Sequence, residues 1–424
     1  MADSITTDIH GLAHAPEDVA RWLVAAGLEG VGVDALLEGF CERLVADGVR
    51  LWRGHCSLST VHPQVAGYGY TWRRGQGLVD AAAYSHGQSD SEAYQNSPFR
   101  HMLEEQVLTL RYRLTGRNAR FDFPVLAEFR DEGATDWLGL CFSFDWRPRP
   151  EPDHVHLGII TSWISDAPRG FDDDEIRYLQ ASAPLLALAI KAAASSRMGE
   201  AILAAYLGRD VGRRVWSGEV HRGMAQTIRA ILFLADLRGF TRLADSTPRA
   251  DLVNMLDDYL ECMAVPVQKR GGDILKFLGD GLLAIFELDG DDPGERCGTA
   301  LDAAGEALAR VEALNRDRAA AGKPIMALDL ALHLGDVLYG NVGSPERLEF
   351  TVIGPAVNEA ARIEALCQEL GTNLLISKVF ADSAGSSAGR LGSLGRHRLR
   401  GVRGERELFT LTDGDAPAGA GQAR

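Results

Sequence analysis

Two short apolar runs, each leading into an aspartate and a glycine, limit what this chain can fold into more than any other feature. The run ILFLADLRGFT (residues 231–241) carries Asp236, and LKFLGDGLLAIF (residues 275–286) carries Asp280. Such runs, bounded by turn signals, read as buried strands, and the glycines mark the places where the chain must turn. A fold is therefore expected in which two covered strands end in carboxylates. Two carboxylates at strand ends suit hard cations such as Mg²⁺, which take oxygen ligands and bridge to substrate phosphates. A paired-metal site is a common device for in-line attack at phosphorus. Taken singly, each aspartate reads more simply as a solvated turn residue; a second block downstream changes the balance.

That block is FTVIGPAVNEAARIEAL, residues 350–366. Gly354 and Pro355 open a helix, since proline is tolerated in a first helical turn. Asn358 and Arg362 are spaced i, i+4 and share one helix face. An amide and a guanidinium aimed at one point suit phosphate recognition, because arginine presents a planar, permanently charged fork. The simpler alternative is an exposed polar face.

Around these blocks the pattern alternates strand and helix. Strands are expected at 229–236, within a hairpin at 274–287, at 326–335 and 337–342, at 373–376, and at 393–399 and 406–412. Helices are expected near 246–269, 293–320 and 355–369. This order suits an α+β sandwich with helices packed on a mostly antiparallel sheet.

Together these runs resemble the catalytic domain of class III nucleotidyl cyclases, the adenylate and guanylate cyclase family, over about residues 226–412. The matching segments are LADLRGFTRL, GGDILKFLGDGLLAIF, LHLGDVLYGNVGSPERLEFTVIGPAVNEAARIE and LRGVRGERELFTL. The resemblance implies a ferredoxin-like core with extensions. It implies two metal ions, Mg²⁺ or Mn²⁺, held by Asp236, Asp280 and the backbone carbonyl of Leu237. The amides of Gly239, Phe240 and Thr241 would hold the β- and γ-phosphates at a helix start, where anions are favoured. Asn358 and Arg362 match the family's transition-state pair. Lys276 and Thr351 match its adenine-reading pair: lysine donates to adenine N1, and threonine accepts from the exocyclic amine. ATP is the expected substrate, and guanylate cyclase, which commonly has glutamate and cysteine at these places, is the alternative. A silent nucleotide-binding module is a further alternative, against which the complete residue set argues. A diguanylate cyclase reading of Gly271-Gly272-Asp273 fails, because Ile274-Leu275 is not the acidic-aromatic pair that family needs.

There are two departures from the family pattern. Pro355 stands where many bacterial members have aspartate, and Arg400 stands where the family often has a lysine near the terminal phosphates. In the family each site is shared across a head-to-tail dimer. One subunit gives the aspartates, and the other gives lysine, threonine, asparagine and arginine. This chain has both halves, so the resemblance implies a homodimer with two equivalent sites. NVGSPERLEF, residues 341–350, resembles the family's hairpin arm at the dimer contact.

Composition fits that expectation. The net charge of −15 argues against non-specific binding to nucleic acid or to anionic membranes. No apolar run approaches the ~20 residues of a spanning helix, and the start MADSITTDIHG has no secretory signal. The six cysteines are scattered without a CxxC pair, which suggests neither zinc nor disulfides and suits a reducing cytoplasm. The Ala- and Arg-rich usage hints at a bacterial source.

The first 200 residues say less. Residues 1–32 read as a loose tail and a helix near 16–27, with a second helix near 33–47. Strand-like runs follow: VRLWRGHCSLST, GYGYTWRR, DWLGLCFSF and VHLGIITSWIS, with a Pro/Arg-rich loop at 147–153. A small sheet followed by a GF-Asp turn and an amphipathic helix resembles the last part of GAF domains. That resemblance implies a small-molecule sensor over 33–195 with an unidentified ligand. Trp52, Trp72, Trp137, Trp146 and Trp163 are candidate pocket residues, although ordinary packing explains each of them. His154 and His156 would share a strand face, but a solvated strand start explains them better than a haem or metal. Ile176, Leu179, Ala183, Leu186 and Ile190 step by 3 and 4, a heptad-like seam expected to pair two chains. Pro184 is expected to bend that helix and Gly199 to hinge it. Residues 196–226 form a linker, of which 206–227 is polar and Gly-dotted. The cyclase-like domain covers 227–413, and 414–424 is a tail without expected structure.

Overall fold

The computed structural model describes residues 16–412 apart from 62–64, 86–90, 145–157, 222, 245–247, 291 and 345. Both expected tails, the loop at 147–153, Trp146, His154 and His156 lie outside the described residues. The chain divides into two compact units, Met1–Ile202 and Leu203–Arg424.

Unit 1 starts with α1 (Glu17–Leu28) and α2 (Val33–Ala46), then β1 (Arg53–Ser59), β2 (Gly67–Arg73) and β3 (Gly77–Tyr84). There follow α3 (Glu92–Gln95), α4 (Pro98–Glu104), β4 (Thr109–Arg113), α5 (Pro124–Asp131), β5 (Asp136–Ser143), β6 (Gly158–Ser165) and α6 (Asp173–Leu207). The strands form one sheet in the order β3-β2-β1-β6-β5-β4, every neighbouring pair antiparallel. Cys56, Leu58, Trp72, Leu138 and Trp163 pack on α1, α2 and α6, whereas Trp137, Ile160 and Ile164 pack with Met102 of α4 and Leu126 of α5. The sequence pattern misses β3 and β4 for a physical reason. They are the two edges of the sheet, and their residues are largely exposed or half-buried, so no apolar alternation marks them.

The seam of α6 corrects an expectation. Leu179, Ala183, Leu186 and Ile190 are buried in the core of unit 1 itself, with α1, α2 and the sheet, and Ile176 packs beside them. They are spent inside one chain and do not form a pairing surface between two. A 3-and-4 repeat records that one helix face is covered and does not say by what. The helix also runs unbroken through Pro184 and Gly199. Its start is fixed by Asp172, which accepts from the amides of Asp174 and Glu175, as side-chain oxygens do at helix N-termini.

Unit 2 contains α7 (Arg209–Trp216), β7 (Ala225–Arg238), α8 (Phe240–Ala244), α9 (Arg249–Lys269), β8 (Asp273–Leu278), β9 (Gly281–Glu287) and α10 (Pro293–Ala320). Then come β10 (Ala327–Gly343), β11 (Leu348–Ile353), α11 (Pro355–Glu364), α12 (Cys367–Leu370), β12 (Leu374–Ser377), α13 (Lys378–Ser383), a 3₁₀ turn at Gly385–Arg390, β13 (Leu391–Arg398) and β14 (Glu405–Leu411). The sheet order is β13-β14-β12-β10-β7-β9-β8, with β11 paired to the far end of β10. Among the described residues of this sheet only the β10–β12 pair is parallel.

Strand β7 lies inside the sheet and is covered on both faces. Ile231, Phe233, Ala235 and Leu237 pack with Met255, Tyr259 and Met263 of α9 and with the alanines of α10. Ala230, Leu232 and Leu234 face the other way, toward Val337, Tyr339, Val352 and Ala360. That double burial is why the run is continuously apolar.

Three local expectations change. The strands expected at 326–335 and 337–342 are one strand, β10, because Gly335 does not break it. Gly335 lets α11 approach: a Cβ there would lie 2.6 Å from the Ala356 Cβ. The helix expected at 355–369 is two pieces, α11 and α12. The polar, Gly-dotted link contains α7, set off by Gly208 at φ 88° and anchored by Asp210. Asp210 accepts from Arg213, from Arg214 and from the Tyr339 hydroxyl at 3.1 Å. Among the described residues no helix is long and apolar enough to cross a membrane.

Candidate metal and nucleotide site

Asp236 sits near the end of β7, opposite Asp329 of β10. Asp280 occupies the tight turn between β8 and β9, entered through Gly279 at φ 71°. Gly281 closes that turn against β7. A Cβ on it would lie 2.3 Å from the Ala235 carbonyl and 2.7 Å from Asp236 Oδ1, so only glycine lets the turn pack this close to Asp236. The two strand ends expected to carry carboxylates are thus brought together.

Their electrostatics follow from that closeness. Burial, then the charges of Asp280 and Asp329, push the Asp236 carboxyl up to about 6. Burial raises Asp280 as well. Glu364 of α11 is pushed up to about 7 by burial and then by Asp236. Asp329 is neutralised by the Arg238 fork, with Nε 2.9 Å from Oδ2 and a second contact from Nη2 to Oδ1. Asp236 and Asp280 have no ion-pair partner among the described residues. Like charges held close without a counter-ion disfavour ionisation, and a divalent cation removes that penalty. The donor set is oxygen only, which fits Mg²⁺ or Mn²⁺. Among the described residues no group of three or more His, Cys, Asp or Glu is placed to hold a metal. An ion here would complete its shell from backbone, substrate and water. Leu237, expected to offer its carbonyl, is buried beside Asp236.

The expected phosphate cradle follows directly. Gly239 has φ 82°, and the five-residue α8 starts at Phe240, with Thr241 exposed. On α11, Asn358 is exposed and Arg362 half-buried, and neither side chain has a hydrogen-bond partner among the described residues. The β13–β14 turn lies against Arg362: a Cβ on Gly401, φ 73°, would be 3.7 Å from its Nη2. Arg400, exposed, is the preceding residue of that turn.

Lys276 and Thr351 are placed on the adjoining strands β8 and β11. Lys276 Nζ lies 2.9 Å from Glu349 Oε1. Glu349 precedes Thr351 by two residues, one pleat repeat along β11. Thr351 is buried, and its hydroxyl has no hydrogen-bond partner. Among the described residues no hydrogen bond or ion pair joins Asp236 or Asp280 to Lys276, Thr351, Asn358, Arg362 or Arg400. Sequence reasoning missed Asp329, Arg238, Glu349 and Glu364. The polar Asp329 inside the apolar run ALDLALHL was the one available signal; the partners of the others are distant in sequence.

Residues 224–412 match the family model for the adenylate and guanylate cyclase catalytic domain. Unit 2 carries a class III cyclase catalytic domain. An adenylate cyclase from Anabaena cylindrica is 35% identical over 160 residues, 37% of this chain and 31% of that protein. Adenylate cyclase 1 from Rhizobium meliloti is 29% identical over 171 residues, 39% of this chain and 23% of that protein. The chain therefore spans about a third or less of the length of these curated relatives. Among solved structures, the adenylyl cyclase CyaB from P. aeruginosa is similar at 23% identity and a TM-score of 0.40, covering 46% of this chain and 99% of that one. The guanylyl cyclase Cya2 is similar at 24% identity and a TM-score of 0.39, covering 44% of this chain and 93% of that one. The matched residues run from β7 to β14 and include every site residue expected from the sequence.

Proposed function

We propose that this chain is an adenylate cyclase that converts ATP to 3′,5′-cyclic AMP and pyrophosphate, in a homodimer whose two sites each draw on both subunits. The carrying observation is the pair Asp236 and Asp280 without a counter-ion, and the side chains of Asn358 and Arg362 likewise without a partner, with no hydrogen bond or ion pair joining the two pairs among the described residues. Two incomplete half-sites on one chain suit completion by a second copy. Exposed apolar side chains support the same reading: Phe277 and Leu278 on edge strand β8, and Leu338, Val342, Leu348 and Ile353 on the β10–β11 arm.

Asp236, Asp280 and the Leu237 carbonyl would hold two Mg²⁺ or Mn²⁺ ions. When bound, such ions neutralise triphosphate charge and acidify the ribose 3′-hydroxyl. The amides of Gly239, Phe240 and Thr241 bind the β- and γ-phosphates, and Arg400 the terminal oxygens. Asn358 orients the ribose so that its 3′-oxygen faces the α-phosphorus. As the new O–P bond forms and the bond to pyrophosphate breaks, Arg362 neutralises charge growing on the α-phosphoryl oxygens. Lys276 donates to adenine N1. The Thr351 hydroxyl, without a partner here, accepts from the exocyclic amine. A buried polar group left unpaired costs about 1–3 kcal/mol, so the base that satisfies it is favoured.

One observation favours a guanylate reading: Glu349, beside Lys276, could accept from the N1–H and amino group of guanine. The domain layout proposed from sequence, a GAF-like regulatory domain at 33–195 and a linker at 196–226, is supported by the single antiparallel sheet of unit 1. The deciding experiment is cyclic nucleotide output from the purified chain with ATP or GTP and Mg²⁺ or Mn²⁺, beside Asp280→Ala. Cyclic AMP that disappears in the variant is expected. Cyclic GMP as the main product would transfer base selection to Glu349, and no product despite bound nucleotide would make this a silent module.

A further inference from the structure

We propose that the cavity of about 620 Å³ in unit 1 binds a compact planar aromatic anion, with its charged group held by Arg53 and its ring packed among Phe99, Phe129 and Trp137. The cavity lies on the face of β1 and β6 turned away from the α1, α2 and α6 core. Strand alternation places Arg53 and His55 on this face, while Gly54, Cys56 and Leu58 are buried on the other. Register brings Ser162 opposite His55. Trp137 is fixed in the wall because Gly139 leaves it room: a Cβ there would lie 2.4 Å from the indole.

Arg53 is the informative residue. Its guanidinium donates to Thr71 Oγ1 at 3.3 Å and lies 5.1 Å from the Phe129 ring centroid. Among the described residues it has no carboxylate within ion-pair distance. Its cross-strand neighbour is another arginine, Arg73, which has its own carboxylate in Glu132 at 2.6 Å. Burial and then Arg73 pull Arg53 down to about 10, so it still carries its charge at neutral pH. A cation removed from water without a counter-ion is costly, and an anionic ligand supplies what the chain does not. Arginine also forks onto carboxylate or phosphate oxygens bidentately.

The remaining lining sets the rest of the ligand. His55 bonds Thr71 Oγ1 through Nδ1 at 2.9 Å and stacks on Phe99 at 5.7 Å. Burial and then Arg53 pull it down to about 3, so it is neutral and adds no charge. Its other ring nitrogen and the Ser162 hydroxyl remain to read one polar edge. Glu92 and Glu128, both exposed, line the same cavity and repel polyanions, which favours a monoanion over a nucleoside triphosphate. The volume suits a small organic molecule, and mostly apolar walls with a few convergent polar groups are the usual makeup of such sites.

The test uses the full chain without metal or nucleotide, so it does not depend on the cyclase reading. Calorimetry would measure 4-hydroxycinnamate and indole-3-acetate as carboxylates, phenyl phosphate as the phosphate, and the neutral amides of the two acids as controls. At least one anion should bind saturably, and a carboxylate that binds should do so at least about tenfold tighter than its amide. Which anion binds separates carboxylate from phosphate. Arg53→Gln should weaken it at least tenfold, while unit 1 melts no lower, because a half-buried cation without a counter-ion has been removed. If Arg53→Gln fails to fold, Arg53→Lys keeps the charge, loses the fork and should still weaken binding severalfold. No saturable binding by any of the three anions, equal binding of acid and amide, or affinity indifferent to both variants would each overturn the proposal.

Discussion

The molecule carries two apolar stripes that have opposite fates. In unit 1, the α6 stripe from Leu179 to Ile190 is closed by the chain's own α1, α2 and sheet. In unit 2, Phe277 and Leu278 on β8 and Leu338, Val342, Leu348 and Ile353 on the β10–β11 arm stay between 37% and 52% exposed. The first stripe does its work within one folded unit. The second is open to a second chain. The lesson is that an apolar pattern reveals a covered face, whereas only the three-dimensional neighbours reveal the cover.

The sharpest way to break the comparison is to charge each stripe in turn. Leu186→Asp should cost unit 1 about 3–5 kcal/mol, because it buries an unpaired charge and removes core volume. Thermal or denaturant unfolding should show it as loss of the unit's transition, whatever the oligomeric mass. Retained stability with only a fall in mass would return the stripe to the role of a pairing seam. Phe277→Asp should cost the fold less than about 1 kcal/mol, as exposed substitutions do, yet shift the chain to monomer in light scattering and abolish product. A folded variant that stays dimeric would show that the β8 edge is not the contact.

A complementation experiment sharpens the second half. Asp280→Ala and Arg362→Ala should each be inactive as homodimers. Mixed in equal amounts with free exchange, half the dimers become mixed, and each of these has one intact site of two. Product should return to about a quarter of the original level by the symmetry of a twofold interface. No recovery in a mixture shown to exchange subunits would place all site residues within one chain.

The legibility of the two units differs for the same reason. Strand β7 and the β8–β9 hairpin were plain because their side chains are buried on one or both faces and their ends carry Asp236 and Asp280. Strands β3 and β4 were hidden because an edge strand need not alternate. Helix α7 was hidden because its eight residues hold only two apolar anchors, Val211 and Val215, between charged ones. Asn358 and Arg362 were readable as an i, i+4 pair on one helix. Glu349 beside Lys276 and Glu364 beside Asp236 were not, since each pairing spans more than seventy residues and depends on the finished sheet.

The smallest predicted effect concerns charge, where the units differ again. Unit 1 pairs its buried carboxylates: Asp136 accepts from Arg111 and Arg113, and Glu175 from Arg50. Unit 2 pairs the buried Asp210 and Asp329 with arginines in the same way, but leaves the half-buried Asp236 and Asp280 without a cation among the described residues. Asp236 is pushed up to about 6 by burial, then by Asp280 and Asp329, against roughly 3.9 for an unfolded aspartate. Between these values the folded chain holds the extra proton. The stability this group contributes is therefore present at low pH and lost as pH rises through about 6. A divalent cation binds the deprotonated form, so its stabilising effect should grow over that same window. Melting of the metal-free chain at several pH values between 5 and 7.5, with and without Mn²⁺, should show the metal-induced shift rising with pH. Asp236→Asn should flatten it. A metal-induced shift equally large at pH 5 and pH 7.5 would mean that the ion binds away from Asp236, and the paired carboxylates would then need another explanation.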